Sequence, residues 1–187
     1  MGCVKSLHLK NQAEIFPKDV SLINEHYSLP ISNEDKALLR ESWKQLENMK
    51  DAMGKTIFTR LLELNPDIQD TFPSFRGVAL DELMNSRSLF LHSKRLMAAV
   101  EKAVSSLEDG QEIVERLTDL GQRHIAISIT EKHFKIMEKA LVLTLKDLLK
   151  TDYTEDIAHA WTELFGFMTA TMLAGKERAH ENHNSLM

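Results

Sequence analysis

The side chains best suited to chemistry in this 187-residue chain are eight histidines and a single cysteine. One thiol makes neither an internal disulfide nor an iron–sulfur site by itself, so a metal or cofactor falls to histidine or carboxylate. His92 stands four residues before Leu96 and eight before Val100, and on a helix these share one apolar stripe. His124 ends a stripe that also holds Leu117 and Leu120, seven and four residues earlier. An imidazole turned toward an apolar interior costs free energy unless something bonds it. Two of them, 32 positions apart on different helices, suggest a shared partner such as a metal. Taken singly, each also fits a core histidine hydrogen-bonded to a carbonyl. The other histidines are weaker candidates. His133 lies near a helix start and suits a cap, His159 a surface, and His8, His26, His180 and His183 the two ends of the chain.

The elements that must position these residues read as all-α. Apolar residues recur at three and four, with few β-branched clusters and no alternating stretches. Residues 1–30 hold no such period and contain Pro17 and Pro30, which marks an extension. A domain over residues 31–176 and a polar tail over 177–187 follow. Ser32, with Asp35 three residues on, signals a helix start; Leu39, Trp43 and Leu46 form its face. The next helix carries Met53, Ile57, Phe58, Leu61, Leu62 and Leu64 until Asn65-Pro66 stops it. An irregular connection then holds Phe72 and Phe75. A long helix from the mid-80s to about Leu107 turns Phe90, Leu91, Leu96, Met97, Val100 and Val104 inward or nearly so, and Asp109-Gly110 breaks it. The helix ending at His124 follows. Thr130 caps another, with Phe134, Met137, Leu141 and Leu145, and Thr154 caps the last, which carries Trp161 and ends near Gly175. Some seven helices of unequal length suit a pocket-forming packing better than an up-and-down bundle. With 43% apolar residues and a net charge of -5, the chain has a core but lacks the basic face of a nucleic-acid binder. No apolar run is long enough for a membrane span or a secretory core, which makes the cytosol the default.

Several segments together, in order and compatibly spaced, resemble the globin family from about Ile31 to Lys176. Arg40-Glu41-Ser42-Trp43 is similar to the first-helix tryptophan segment, and Ala160-Trp161 falls where many members carry an aromatic. Asn65-Pro66 with Phe72 and Phe75 resembles the proline and aromatic corner that packs on the haem. His92-Ser93-Lys94-Arg95-Leu96 looks like the distal-histidine segment, and Leu120-Gly121-Gln122-Arg123-His124 like the proximal one. The resemblance implies a globin fold and haem b (iron protoporphyrin IX), with His124 the proximal and His92 the distal iron ligand. It implies a pocket walled by Phe58, Phe72, Phe75, Leu96, Leu117, Leu120 and Leu141, and a place for His133 beside a haem propionate. The Leu120 carbonyl, one turn before His124, is the candidate to orient that ring.

Met1-Gly2-Cys3-Val4-Lys5-Ser6 fits an N-myristoylation signal at Gly2, with Cys3 beside it as a palmitoylation site. Two acyl chains anchor stably where one does not. This start resembles globin X, and the interval between the histidines resembles neuroglobin-like members. The expectation is a six-coordinate globin on the cytoplasmic face of the plasma membrane, or in the cytosol if unacylated. It would bind O₂, CO or NO and serve a redox, signalling or protective role. A five-coordinate oxygen binder and a haem-free interaction module are the alternatives. No dedicated acid–base apparatus is visible, so nitrite reduction would be a secondary activity, and the redox partner is not legible.

Overall fold

The computed structural model describes residues 29–125, 127 and 129–184; Gly2, Cys3, His8 and His26 lie outside them. Among the described residues the secondary structure is helical throughout. It comprises α1 (Asn33–Leu46), α2 (Lys50–Leu64), α3 (Leu80–Met84), α4 (Arg87–Ser105), α5 (Gly110–Arg123), α6 (Glu131–Leu149) and α7 (Glu155–Asn184). Short 3₁₀ turns at Glu47–Met49, Pro66–Thr71 and Lys150–Asp152 link some of them.

The starts and stops follow local chemistry. The Ser32 hydroxyl accepts the Asp35 N–H at 3.0 Å, and the Thr154 hydroxyl accepts the Ile157 N–H at 3.2 Å. Asn65 ends α2, and Pro66 opens the 3₁₀ turn, where its missing N–H costs nothing. His133 is itself a cap: its Nδ1 accepts the Thr130 N–H at 3.2 Å, satisfying a donor at the start of α6.

Two expectations need correction. Phe90 and Leu91 are 50% and 38% exposed rather than inward. The buried face of α4 runs through Leu89, Ser93, Met97, Val100 and Val104, which turns the two residues after Leu89 away from the core. Phe90 instead supports the Lys94 ammonium, 5.3 Å from its ring centre. Second, α7 does not end at Gly175 but continues to Asn184. The residues beyond Gly175 are mostly good helix formers, and that glycine serves a close helix crossing rather than a stop.

One apolar core joins all the longer helices. At its floor Trp43 and Trp161 lie 6.1 Å apart, tilted by 51°. The Trp161 indole N–H donates to the buried Ser42 hydroxyl at 3.0 Å, which in turn donates a hydrogen bond to the Leu38 carbonyl at 2.7 Å. That relay ties α1 to α7 while satisfying a buried donor. Salt bridges around it, such as Lys36 and Arg40 to Glu108, bind α1 to the turn before α5.

Two crossings are too tight for a side chain. A Cβ on Gly54 of α2 would meet the Ser93 carbonyl of α4 at 3.0 Å and Met97 Cγ at 2.7 Å. Gly121 of α5 and Gly175 of α7 lie against each other's helix, a Cβ at either landing 1.9 Å from the Met172 carbonyl oxygen or 2.4 Å from that of Thr118. The first crossing seats the helix of His92, and the second seats the helix of His124.

Candidate functional site

The site grows from the α2–α4 crossing. Gly54 lets α2 press on α4 beside Ser93, so Phe58, one turn further along α2, reaches the His92 ring. Their centroids are 5.0 Å apart and the planes nearly perpendicular at 81°. The 3₁₀ turn and the connection after it bring two more rings to the same imidazole. Phe72 lies 5.1 Å and Phe75 5.9 Å from it, both edge-to-face. Phe72 and Phe75 stack on each other at 4.9 Å, and Gln69 holds their connection by donating to the carbonyls of Phe75 and Val78. Perpendicular ring pairs at these distances are favourable and orient the imidazole.

This aromatic setting decides the protonation of His92. Burial pushes its pKa down from 6.5 to about 4, helped by the nearby His124 and then by Arg95. At neutral pH the ring is therefore uncharged, and it is a competent metal ligand. Because His124 acts on it, the two imidazoles, from α4 and the end of α5, lie within electrostatic reach of each other.

His124 caps the C-terminus of α5. Its Nδ1 lies 2.7 Å from the Leu120 carbonyl oxygen. A carbonyl only accepts, so Nδ1 carries the proton, and the lone pair is left on Nε2. The bond also fixes the ring's orientation, as orienting partners do for metal-binding imidazoles. Leu117 and Leu141 are buried in the same core, and Leu96 and Leu120 pack against it partly exposed. Of the proposed wall residues, Phe58, Phe72 and Phe75 meet the His92 ring, while the four leucines belong to, or pack against, the one apolar core. His133 is turned to its capping role, and His159 is on the surface.

Sequence reasoning missed the tight crossings that place the two histidine helices. Glycine inside an otherwise amphipathic helical pattern was the available signal for Gly54 and Gly121.

The globin family model matches residues 55–172, more than half of the chain. The chain belongs to the globin family. It is 28% identical to a neuroglobin of Danio rerio over 156 residues, covering 83% of this chain and 98% of that one. A neuroglobin of Chaenocephalus aceratus is 29% identical over 78% of this chain and 92% of its own length. Among solved structures, a hexacoordinated haem protein from an anhydrobiotic tardigrade matches with a TM-score of 0.73 and 26% identity, over 80% of this chain and 97% of that chain. Haemoglobin component V of Propsilocerus akamusi shares the fold at a TM-score of 0.70 and 17% identity, over 83% and 98% of the two chains.

The residues present fit the prosthetic group that the family implies. Among the described residues no three His, Cys, Asp or Glu side chains gather into a cation site. A pair of imidazoles instead suits an iron already held in a macrocycle, which needs only axial ligands. His124 offers an oriented Nε2, His92 an uncharged ring, and the phenylalanines and leucines an apolar surround.

Proposed function

We propose that this globin carries haem b with His124 as proximal and His92 as distal ligand, six-coordinate at rest, and binds small diatomic ligands such as O₂, CO or NO. The carrying observation is the pair itself: an imidazole whose Nδ1 proton is committed to Leu120, within electrostatic reach of one kept neutral by burial. The likeness to neuroglobins, and to a structure whose protein is termed hexacoordinated, supports the same reading. When bound, the haem supplies a redox-active iron that takes axial ligands.

The residues then have separate tasks. His124 anchors the group, and Leu120 holds its ring. Phe58, Phe72 and Phe75 exclude water and limit how far the His92 ring turns. His92 occupies the position a diatomic ligand needs, so the fraction of time it swings away scales the apparent affinity. Such a protein suits redox signalling, electron transfer or protection against reactive species better than bulk oxygen transport. The Met1–Ser6 pattern supports acylation at Gly2 and Cys3, which would hold the protein to the cytoplasmic face of the plasma membrane as in globin X.

The visible spectrum tests the haem assignment. The purified ferrous protein should show the split bands of low-spin haem, and His92→Leu should convert it to a high-spin spectrum. High-spin ferrous bands already present before substitution would refute direct ligation by His92 and leave a five-coordinate oxygen binder. A colourless protein that takes up no added haemin would refute haem binding altogether.

A further inference from the structure

At His124 the regular hydrogen bonding of α5 runs out, and the imidazole's position depends on how the backbone beyond it is held on the way to α6 at Glu131. The backbone there is held by short turns: His124 N–H to the Gly121 carbonyl at 2.9 Å, and Ile125 N–H to that of Gln122 at 3.1 Å. The His124 carbonyl in turn accepts the Ile127 N–H at 3.2 Å. From the far side, Lys176 of α7 donates to the Ile127 carbonyl at 3.2 Å and the Ile129 carbonyl at 2.8 Å. A continuous set of bonds therefore runs from the Lys176 ammonium through Ile127 to the backbone of His124.

We infer that Lys176 is a positioning residue for His124, a cationic latch between α7 and the segment that follows the histidine. The inference rests on His124 being the proximal ligand. Three features make the latch specific. First, its base is registered against the helix that carries His124. The neighbouring Gly175 lies so close to α5 that a Cβ would sit 2.4 Å from the Thr118 carbonyl oxygen. Second, an ammonium has several N–H donors and can serve two carbonyls at once, and charge-assisted bonds are stronger than neutral ones. Third, the same segment is closed at its other end, where the buried Ile129 precedes Thr130, whose N–H is taken by His133. Ile127 and Ile129 are thus bonded both to each other and to Lys176, so the end of α5 is held against drift. Without the latch the Ile127 carbonyl keeps only the Ile129 N–H, and the Ile129 carbonyl loses its lysine donor.

The experiment compares full-length haem-loaded wild type with Lys176→Met, which keeps the length but has no donor, and Lys176→Arg, which keeps donors. Lys44→Met, at a side chain 70% exposed, is the control. Two quantities are read: the rate of haem transfer to excess apomyoglobin, and hydrogen exchange of the Ile125, Ile127 and Ile129 amides. Lys176→Met should speed both by about tenfold, the lower end of what loss of an orienting contact costs a metal site. Lys176→Arg should stay near wild type, and Lys44→Met should match it. Unchanged haem transfer and exchange in Lys176→Met would overturn the inference. So would failure of Lys176→Arg to rescue, or exchange raised equally across all helices, which is general destabilisation. A wild-type protein that takes no haem would instead defeat the haem assignment.

Discussion

Gly121→Ala puts the packing argument to its hardest test, because two effects with opposite signs compete at one atom. Alanine favours a helix over glycine by about 1 kcal/mol, so propensity alone would make the variant more stable. The structure says otherwise. The added Cβ would lie 1.9 Å from the Met172 carbonyl oxygen and 2.7 Å from its carbonyl carbon. An ordinary carbon–oxygen approach is about 3.3 Å, so α5 and α7 must part by more than about 1 Å at this point. The obstacle is backbone and has no rotamer to change, which places the cost at the upper end for overpacking, about 3 kcal/mol. The net loss is then about 2 kcal/mol, which for a chain of this size lowers Tm by about 4–8 °C. Gly121 also stands three residues before His124, so the displacement reaches the proposed haem ligand and should alter the Soret band and speed haem loss. Circular dichroism melting of the haem-loaded protein measures the first effect and absorbance the second. An unchanged or higher Tm with a wild-type spectrum would refute the claim that α5 and α7 touch backbone to backbone. Gly54→Ala should cost less, since its nearest backbone obstacle, the Ser93 carbonyl oxygen, lies at 3.0 Å rather than 1.9 Å.

Two further predictions concern buried polar groups. In the apoprotein the pKa of His92 is pushed from 6.5 to about 4, so the unfolded chain takes up the proton first as pH falls. Its contribution is complete above pH 6.5, is lost progressively toward pH 4, and amounts to at most about 3 kcal/mol. Urea denaturation across that window should therefore show a shallower pH dependence in His92→Leu, and identical slopes would exclude the burial argument. Ser42→Ala removes the acceptor of the buried Trp161 N–H and should cost about 1–3 kcal/mol. The urea midpoint should fall with m unchanged; no shift would mean the indole finds another partner.

The sequence by itself determined the helices and most of their ends. Burial repeats along a helix every three to four residues, and caps and prolines act within one turn, so both leave a one-dimensional trace. That trace was enough to place His92 and His124 on apolar stripes, to find Ser32 and Thr154, and to stop α2 at Asn65-Pro66. It was also enough, with the spacing of Trp43, Phe72 and the two histidines, for the resemblance to globins. It misjudged Phe90, Leu91 and the end of α7, where a stripe's edge and a glycine's purpose depend on what lies opposite. Only the tertiary structure decided that three phenylalanines share the His92 ring, that Ser42 serves Trp161, and that Lys176 serves two carbonyls 49 and 47 positions away. Periodicity records that a residue is buried but not against whom. The partner is chosen by how deeply two helices interpenetrate, and here three glycines, at positions 54, 121 and 175, set that depth for the helices of both histidines.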